Sequence, residues 1–143
     1  MKYNPEVWGP HYWFFLHTIA YSYPLFPNTV TKRKYYDLIQ NLPLFIPNTE
    51  IANNFSNILD KYPVTPYLDN RDSFKKWMHF IHNKINVLLG KDEISFDKAE
   101  EIYEKSYLPK KLLLSEKFHL QKHHIYLIFT IISFFLIYIF YKE

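Results

Sequence analysis

The chain has 143 residues and no cysteine, which excludes disulfides, thiolate nucleophiles and cysteine-ligated metal sites. Aromatic residues make up 20 % of it and Gly occurs only twice, so we expect a core built from rings and no glycine-rich phosphate loop. The formal net charge of +3 arises from lysines at 105–124, beside an apolar segment, whereas a nucleic-acid-binding protein carries its basic excess on the folded domain; we therefore expect no nucleic-acid partner.

Prolines divide the chain into segments of helical length and periodicity. Gly9-Pro10 is predicted to open the first helix, because Pro is tolerated at the first helical position, and Pro24 ends it. A second helix is predicted at 31–40, before Pro43. The apolar residues predicted to face the core are Trp13, Leu16 and Ala20 in the first helix and Tyr35, Leu38 and Ile39 in the second.

Two asparagines mark the starts of further helices. Asn48 is a favoured N-cap residue and predicts a third helix. Asn70 or Asp72 would cap a fourth and longest helix, which ends at Gly90, the preferred residue after a helix C-terminus. A short fifth helix is predicted at 95–105. The predicted core residues are Ile51, Phe55, Ile58 and Leu59 in the third helix and Phe74, Trp77, Met78, Ile81, Ile85 and Leu88 in the fourth.

A second face of the fourth helix carries uncharged hydrogen-bonding side chains, where a solvated face would hold Lys and Glu. These residues are His79, His82, Asn83 and Asn86. The pattern predicts one wall of a polar pocket; the alternative is a set of histidines and asparagines packed against loops. A metal site is a third interpretation, since His79 and His82 are three residues apart, but no carboxylate shares this face and we predict no metal.

Residues 125–141 read IYLIFTIISFFLIYIFY, without a charge, and predict one transmembrane helix rather than a buried core helix. As a helix the segment would span about 25 Å, which suits a thin membrane like that of the endoplasmic reticulum. Lysines and His123-His124 precede it, so the positive-inside rule places the preceding domain in the cytosol. The chain opens without the apolar region of a signal peptide. We therefore predict a single-pass tail anchor in an endoplasmic-reticulum-derived or virion membrane.

Three segments form an ordered set of motifs between about Trp8 and Tyr103. They read GPHYWFFLHTIAYSYP at 9–24, LFIPNTEIA at 44–52 and WMHFIHNKINVLLGK at 77–91. In order and spacing the set resembles the Erv/ALR family of FAD-linked sulfhydryl oxidases. The first segment is similar to the family's WxxLHTxAxxYP helix, and the second stands where the family has PCxxCA. The third resembles a Trp, a Cys two residues on and then HNxVNxxLGK.

The resemblance implies an all-α fold, an Erv/ALR-like four-helix bundle with a short fifth helix, followed here by the transmembrane helix. Predicted boundaries are 1–107 for the FAD-binding helical domain, 108–124 for a basic juxtamembrane linker and 125–141 for the membrane segment. The resemblance also implies bound FAD, often in a homodimer, with Lys91 near the pyrophosphate and Tyr103 covering the adenine side. The implied cofactor-binding residues are Pro10, Trp13, His17, His79, His82, Asn83, Asn86, Lys91 and Tyr103.

The chain departs from the family where the family's chemistry lies. Asn48 and Ile51 occupy the two positions of the redox-active CxxC, and His79 occupies a further cysteine position. Oxidising a dithiol through flavin needs a thiolate to attack the substrate and a second sulfur to close the disulfide, so we predict no catalytic residue. The resulting hypothesis is a non-catalytic FAD-binding or structural subunit at a membrane, in a homodimer or in a heterodimer with an active homologue.

Three alternatives stay open. An active flavin-dependent thiol oxidase, forming disulfides with oxygen as acceptor, follows if the natural chain carries cysteine at 48, 51 and 79. A flavin enzyme with another electron donor is the second, and a membrane-tethered helical bundle without flavin is the third. A composition typical of an AT-rich genome, and the family's occurrence in large DNA viruses, favour a viral origin.

Overall fold

A computed structural model describes the backbone of residues 3–142 and the side chains of residues 3–109 and 121–142. This part of the chain contains helices and turns but no strand, which confirms the predicted all-α fold. The helices are α1 (Pro5–Ser22), α2 (Thr29–Asn41), α3 (Thr49–Lys61), α4 (Arg71–Leu88), α5 (Phe96–Lys105) and α6 (Lys110–Lys142), with short 3₁₀ turns at Leu42–Phe45 and Thr65–Tyr67.

The first four helices each begin after an asparagine. The side-chain oxygen of each asparagine accepts a hydrogen bond from a backbone amide in the first turn, at 2.8 to 3.0 Å. Such a bond satisfies one of the backbone donors that a helix leaves unpaired at its start. The four caps are Asn4, Asn28, Asn48 and Asn70. The predicted caps Asn48 and Asn70 are thereby confirmed.

The prediction that Gly9-Pro10 opens the first helix was wrong, because α1 begins at Pro5. Asn4 supplies the cap and Pro5 occupies the first turn, which together form a stronger start signal than Gly-Pro. Pro10 lies inside the helix, where its missing amide leaves the Glu6 carbonyl without the usual helical donor. The earlier start places Trp8 in α1, on the same helix as the predicted site residues Trp13 and His17.

Aromatic rings form the centre of the core. Tyr23 and Phe74 are fully buried, with ring centroids 5.0 Å apart, and Tyr35 packs edge-on against both. The Tyr23 hydroxyl donates to the Leu68 carbonyl at 2.8 Å, so this buried polar group is satisfied. The buried apolar residues are Leu16, Ala20, Tyr23, Ile39, Leu42, Phe55, Leu59, Val64, Leu68, Phe74, Trp77, Met78, Ile81 and Ile85.

Most of the predicted core positions are confirmed, and others lie at its edge. Trp13, Tyr35 and Ile58 are partly buried against the core. Leu88 contradicts its prediction, since it is 55 % exposed. It is the last residue of α4 and lies one turn beyond Ile85, where it borders a surface cleft instead of the core.

The chain divides into two compact units, Met1–Tyr103 and Glu104–Glu143. In the second unit α6 includes the stretch Gln121–Lys142, whose mean hydropathy is 2.1 and which is long and apolar enough to cross a membrane. The backbone of the predicted juxtamembrane linker is helical from Lys110 onward. The boundaries proposed at 107 and 124 remain predictions.

Candidate functional site

Helix α1 packs against α4, and this contact brings aromatic residues from distant parts of the chain together. The rings of Trp13 and His82 are stacked, with centroids 3.9 Å apart and an interplanar angle of 9°. His17 Nε2 lies 2.9 Å from His82 Nδ1, and the ring of Tyr103 lies 6.3 Å from that of His17. These four predicted site residues thus form one half-buried cluster, the ring cluster.

Both histidines of the ring cluster are neutral at pH 7. Burial lowers the pKa of His17 to about 4, with a smaller contribution from His79. Burial also lowers the pKa of His82 to about 3. Electrostatic repulsion from His17, His79 and Lys91 makes smaller contributions in the same direction. One imidazole N–H therefore donates to the unprotonated nitrogen of the other ring. The pair offers hydrogen bonds and flat surfaces but no positive charge.

We expect the free energy of unfolding to fall as the pH decreases from 6.5 to 4. The folded pKa values of His17 and His82 lie below the ordinary value of 6.5, so in this window the unfolded state binds more protons and acid favours unfolding. Each unit of pKa depression corresponds to about 1.4 kcal/mol. Urea unfolding of the full chain in detergent at a series of pH values measures the slope. His17→Gln should flatten it, and the exposed His11→Gln should not; equal slopes in both variants would contradict the assignment.

Asn83 fixes the loop that follows α4. Its Oδ1 accepts from the Ile94 amide at 3.1 Å, and its Nδ2 donates to the Ile94 carbonyl at 2.8 Å. The same Nδ2 lies 3.1 Å from His79 Nε2. Because the Ile94 backbone determines which amide atom is the donor, we assign His79 Nε2 as the acceptor, which places the proton of the neutral ring on Nδ1.

His79 is buried and presents an unpaired donor. Among the described residues its Nδ1 has no hydrogen-bond partner, and the Phe96 ring packs edge-on against it with centroids 5.5 Å apart. Burial lowers its pKa, which favours the neutral form of the ring. A buried N–H without a partner is unfavourable, so this atom is suited to an acceptor on a ligand.

Within the described part of the chain, no three His, Asp or Glu side chains converge on a metal position.

The end of α4 directs the chain away from the helix. Gly90 has φ of 69°, the left-handed conformation that glycine adopts without strain, as predicted. The carbonyl of the buried Asn86 accepts the amides of Leu89 and Lys91 at 3.0 and 2.8 Å. Lys91 is exposed and close enough to His82 to lower its pKa. Pro10, another predicted site residue, lies on α1 and is also exposed.

Two cavities adjoin at the start of α3. The first, the apolar cavity, has a volume of about 50 Å³ and includes Trp13 of the ring cluster in its wall. The second, of about 250 Å³, has Asn48, Glu50 and Asn54 at its rim. Their shared lining residues are Pro5, Ile51, Ile85 and Leu89. The cleft therefore connects the ring cluster with the two positions, 48 and 51, that were singled out in the sequence.

Sequence reasoning missed several residues of this cleft. Trp8 and Tyr12 line the apolar cavity, and their rings meet edge-on with centroids 5.0 Å apart. Trp8 Nε1 is buried and has no hydrogen-bond partner among the described residues. The signal that could have identified them is the Asn4-Pro5 helix start, which places Trp8 and Tyr12 four residues apart on one helical face.

A charged network that the sequence did not predict holds α5 in place. Lys75 Nζ lies 2.5 Å from Glu100 Oε1 and 4.2 Å from the centre of the Tyr21 ring. The hydrogen bond from Lys75 lowers the pKa of Glu100. Tyr103 stacks on Tyr21 at 4.2 Å and its hydroxyl donates to Thr18 Oγ1 at 3.1 Å. These contacts position Tyr103 within the ring cluster.

Known proteins are similar to this chain in sequence. Residues 10–105 match the model of the Erv1/Alr family. The chain is 35 % identical over 109 residues to a probable FAD-linked sulfhydryl oxidase of Acanthamoeba polyphaga mimivirus, which covers 76 % of each chain. It is 34 % identical over 101 residues to the FAD-linked sulfhydryl oxidase of African swine fever virus, which covers 71 % of this chain and 83 % of the relative.

Solved structures share the fold. The yeast Erv1 core superimposes with a TM-score of 0.64 at 24 % identity, over 75 % of this chain and 86 % of the other. The FAD binding domain of Erv1 from Saccharomyces cerevisiae gives 0.67 at 23 % identity, over 75 % of this chain and 100 % of the other. At these identities the likeness establishes the helical architecture, and it confirms the predicted bundle with a short additional helix.

Proposed function

The chain belongs to the Erv1/Alr family, and we propose that it is an FAD-binding member that does not oxidise thiols with residues of its own. The relatives that it matches are named FAD-linked sulfhydryl oxidases. The observation that carries the proposal is the absence of cysteine from the chain alongside an intact ring cluster and polar face on α1 and α4. On this proposal, the chain has a cofactor-binding wall but not the reactive sulfurs of a thiol oxidase.

The residues present fit FAD chemically. A flavin ring is flat and aromatic, and the cleft beside the ring cluster is lined mainly by rings and aliphatic side chains. The unpaired buried N–H groups of Trp8 and His79 suit the acceptor atoms of a heterocycle. The exposed ammonium of Lys91 complements a pyrophosphate. When bound, FAD supplies a group that accepts and releases electron pairs; a cysteine pair could also do so, but this chain contains no cysteine.

The residues at the three cysteine positions have chemistry incompatible with thiol exchange. Asn48 Oδ1 accepts the Ile51 amide at 2.9 Å and so serves as the cap of α3, while Ile51 is an aliphatic wall of both cavities. His79 is a buried imidazole held by Asn83. A disulfide relay requires a thiolate nucleophile and a leaving sulfur, and an amide, an alkyl group and an imidazole provide neither.

The test is a spectrum of the full chain purified in detergent. We expect the visible absorbance of oxidised flavin and an equimolar amount of FAD after denaturation, together with no oxygen consumption on addition of dithiothreitol beyond that of free FAD. His82→Ala should release FAD, because it removes the ring stacked on Trp13 at 3.9 Å, whereas the exposed His11→Ala should not. A folded, colourless protein that cannot be loaded with FAD would leave the flavin-free scaffold. Dithiol oxidation by the wild type would overturn the loss of activity.

We further propose that α6 anchors the protein in a membrane and that the folded unit faces the cytosol. The support is the exposed apolar stretch Gln121–Lys142 and the lysines that precede it. Viral relatives favour an endoplasmic-reticulum-derived or virion membrane.

Exposed apolar side chains on α1, including Val7 and Phe15, favour a homodimer or pairing with an active homologue.

A charge in the middle of this stretch should release the protein from membranes. Ile131 lies near its centre, where a lysine opposes insertion by about 2.5–3.5 kcal/mol. We expect Ile131→Lys to move a large share of the protein from the carbonate-resistant membrane pellet to the supernatant. Tyr141→Lys, next to Lys142 at the end of the stretch, should remain in the pellet, since a lysine there can reach the interface. Equal distributions for both variants would contradict a membrane-spanning α6.

A further inference from the structure

We propose that the indole N–H of Trp8 donates a hydrogen bond to the flavin ring of the bound cofactor, so that Trp8 is a cofactor-binding residue in addition to the predicted set. This inference rests on the proposed function. It comes from the one feature of the cleft that the protein itself leaves unsatisfied, the buried Trp8 Nε1 without a partner among the described residues.

The orientation of Trp8 is fixed by its neighbour. The Tyr12 ring packs edge-on against Trp8 at an interplanar angle of 67°. Tyr12 is itself held, since its hydroxyl donates to the Phe45 carbonyl at 2.9 Å. The Trp8 ring therefore has a defined position in the wall of the apolar cavity.

Tyr12 is the one polar side chain in the rest of the cavity wall, and no hydrogen bond joins its hydroxyl to this N–H. The other lining residues are aliphatic or aromatic apart from Tyr12, and they are Pro5, Gly9, Trp13, Leu16, Leu42, Ile46, Ile51, Phe55, Ile85 and Leu89. A buried water needs two to four polar partners, about three being typical, and the lining side chains provide only the Trp8 N–H and the Tyr12 hydroxyl. A ligand that is apolar over most of its surface and has an acceptor at its edge matches this wall. A flavin ring has this character, with carbonyl oxygens and unprotonated nitrogens along one edge.

Trp8→Phe tests the inference, because it keeps an aromatic ring and removes only the donor. In the full chain in detergent, we expect the dissociation constant for FAD to rise about tenfold, which corresponds to one hydrogen bond. The unfolding temperature of the FAD-free protein should be unchanged or higher, since the variant lacks the unsatisfied buried group. A merely structural tryptophan would lower that temperature instead.

Trp77→Phe is the matched control. Trp77 is buried in the core and its Nε1 donates to the Tyr62 carbonyl at 3.1 Å, so its N–H already has a partner. Removing it should lower the unfolding temperature and leave the affinity of the folded protein for FAD unchanged. The two tryptophans are thus expected to respond in opposite ways. A second measurement needs no variant: on adding FAD to indole-¹⁵N-labelled protein, the Trp8 N–H resonance should shift and that of Trp77 should not.

The outcomes separate the inference from the proposed function. Failure of the wild type to bind FAD overturns the proposed function. Wild-type binding with an unchanged affinity in Trp8→Phe, or with an unmoved Trp8 resonance, overturns only the role of Trp8. Weaker binding of riboflavin 5′-phosphate by Trp8→Phe, with binding of ADP unchanged, supports a contact to the flavin ring. Weaker binding of ADP alone would overturn the assignment to that ring.

Discussion

Replacing Asn48 and Ile51 together by cysteine is expected to produce a dithiol oxidase from a protein that has no such activity. The two residues are already adjacent in space, because the Ile51 amide donates to Asn48 Oδ1 at 2.9 Å. Position 48 is the N-cap of α3 and position 51 lies in its first turn. Thiols at a helix start have a lowered pKa and a larger thiolate fraction. Ile51 lines the cleft proposed for flavin, so the new disulfide would form beside it.

The double variant loses the asparagine cap, which costs about 1 kcal/mol, so the fold should persist. Consumption of dithiothreitol and production of hydrogen peroxide by the FAD-loaded protein measure the gain. Asn48→Cys and Ile51→Cys alone should be inactive, since one sulfur cannot close a disulfide within the chain. A second control, Asn53→Cys/Asn57→Cys, places two thiols at exposed positions of α3. A double variant at 48 and 51 that binds FAD but remains inert would show that more than the missing cysteines separates this chain from the oxidases.

Local signals predicted the helices well because their physical causes are local. Asn48 and Asn70 cap α3 and α4, and Gly90 adopts the left-handed conformation after α4. Each involves backbone groups within a few residues. The start of α1 was missed because Gly9-Pro10 was preferred over Asn4-Pro5, although an asparagine cap stabilises a helix start more than glycine before proline does. Because of this one error, Trp8 and its unpaired buried N–H were not predicted.

The members of the ring cluster were predicted as a set of residues but not as a geometry. The motifs identify Trp13, His17 and His82, yet the stacking of Trp13 on His82 and the bond between the two histidines join residues 65 or more positions apart. Such contacts depend on the rotation and offset of α1 against α4, which the packing of many side chains determines. The Lys75–Glu100 pair was missed for the same reason. Periodicity shows which face of a helix is buried, but not which residue of a partner helix it meets.

Phe74→Ala is expected to lower the free energy of unfolding by about 3–5 kcal/mol, the usual cost of removing a buried phenylalanine ring. Phe74 is fully buried, and its ring lies 5.0, 5.8 and 6.1 Å from those of Tyr23, Tyr35 and Trp77. The substitution leaves a cavity between rings that cannot collapse without moving α4. A domain of this kind is stable by about 5–15 kcal/mol, so the variant should lose much of its stability.

Urea unfolding of the full chain in detergent, followed by tryptophan fluorescence, measures this loss. Phe26→Ala is the matched control, because Phe26 is 94 % exposed and its removal should change stability by less than about 0.5 kcal/mol. Phe74 lies five residues before His79 on α4, so its loss should also weaken FAD binding by disturbing the helix that presents the polar face. A small loss at Phe74, equal to that at Phe26, would mean that the aromatic core does not hold α4 against α1. The ring cluster, which depends on that packing, would then lack its structural basis.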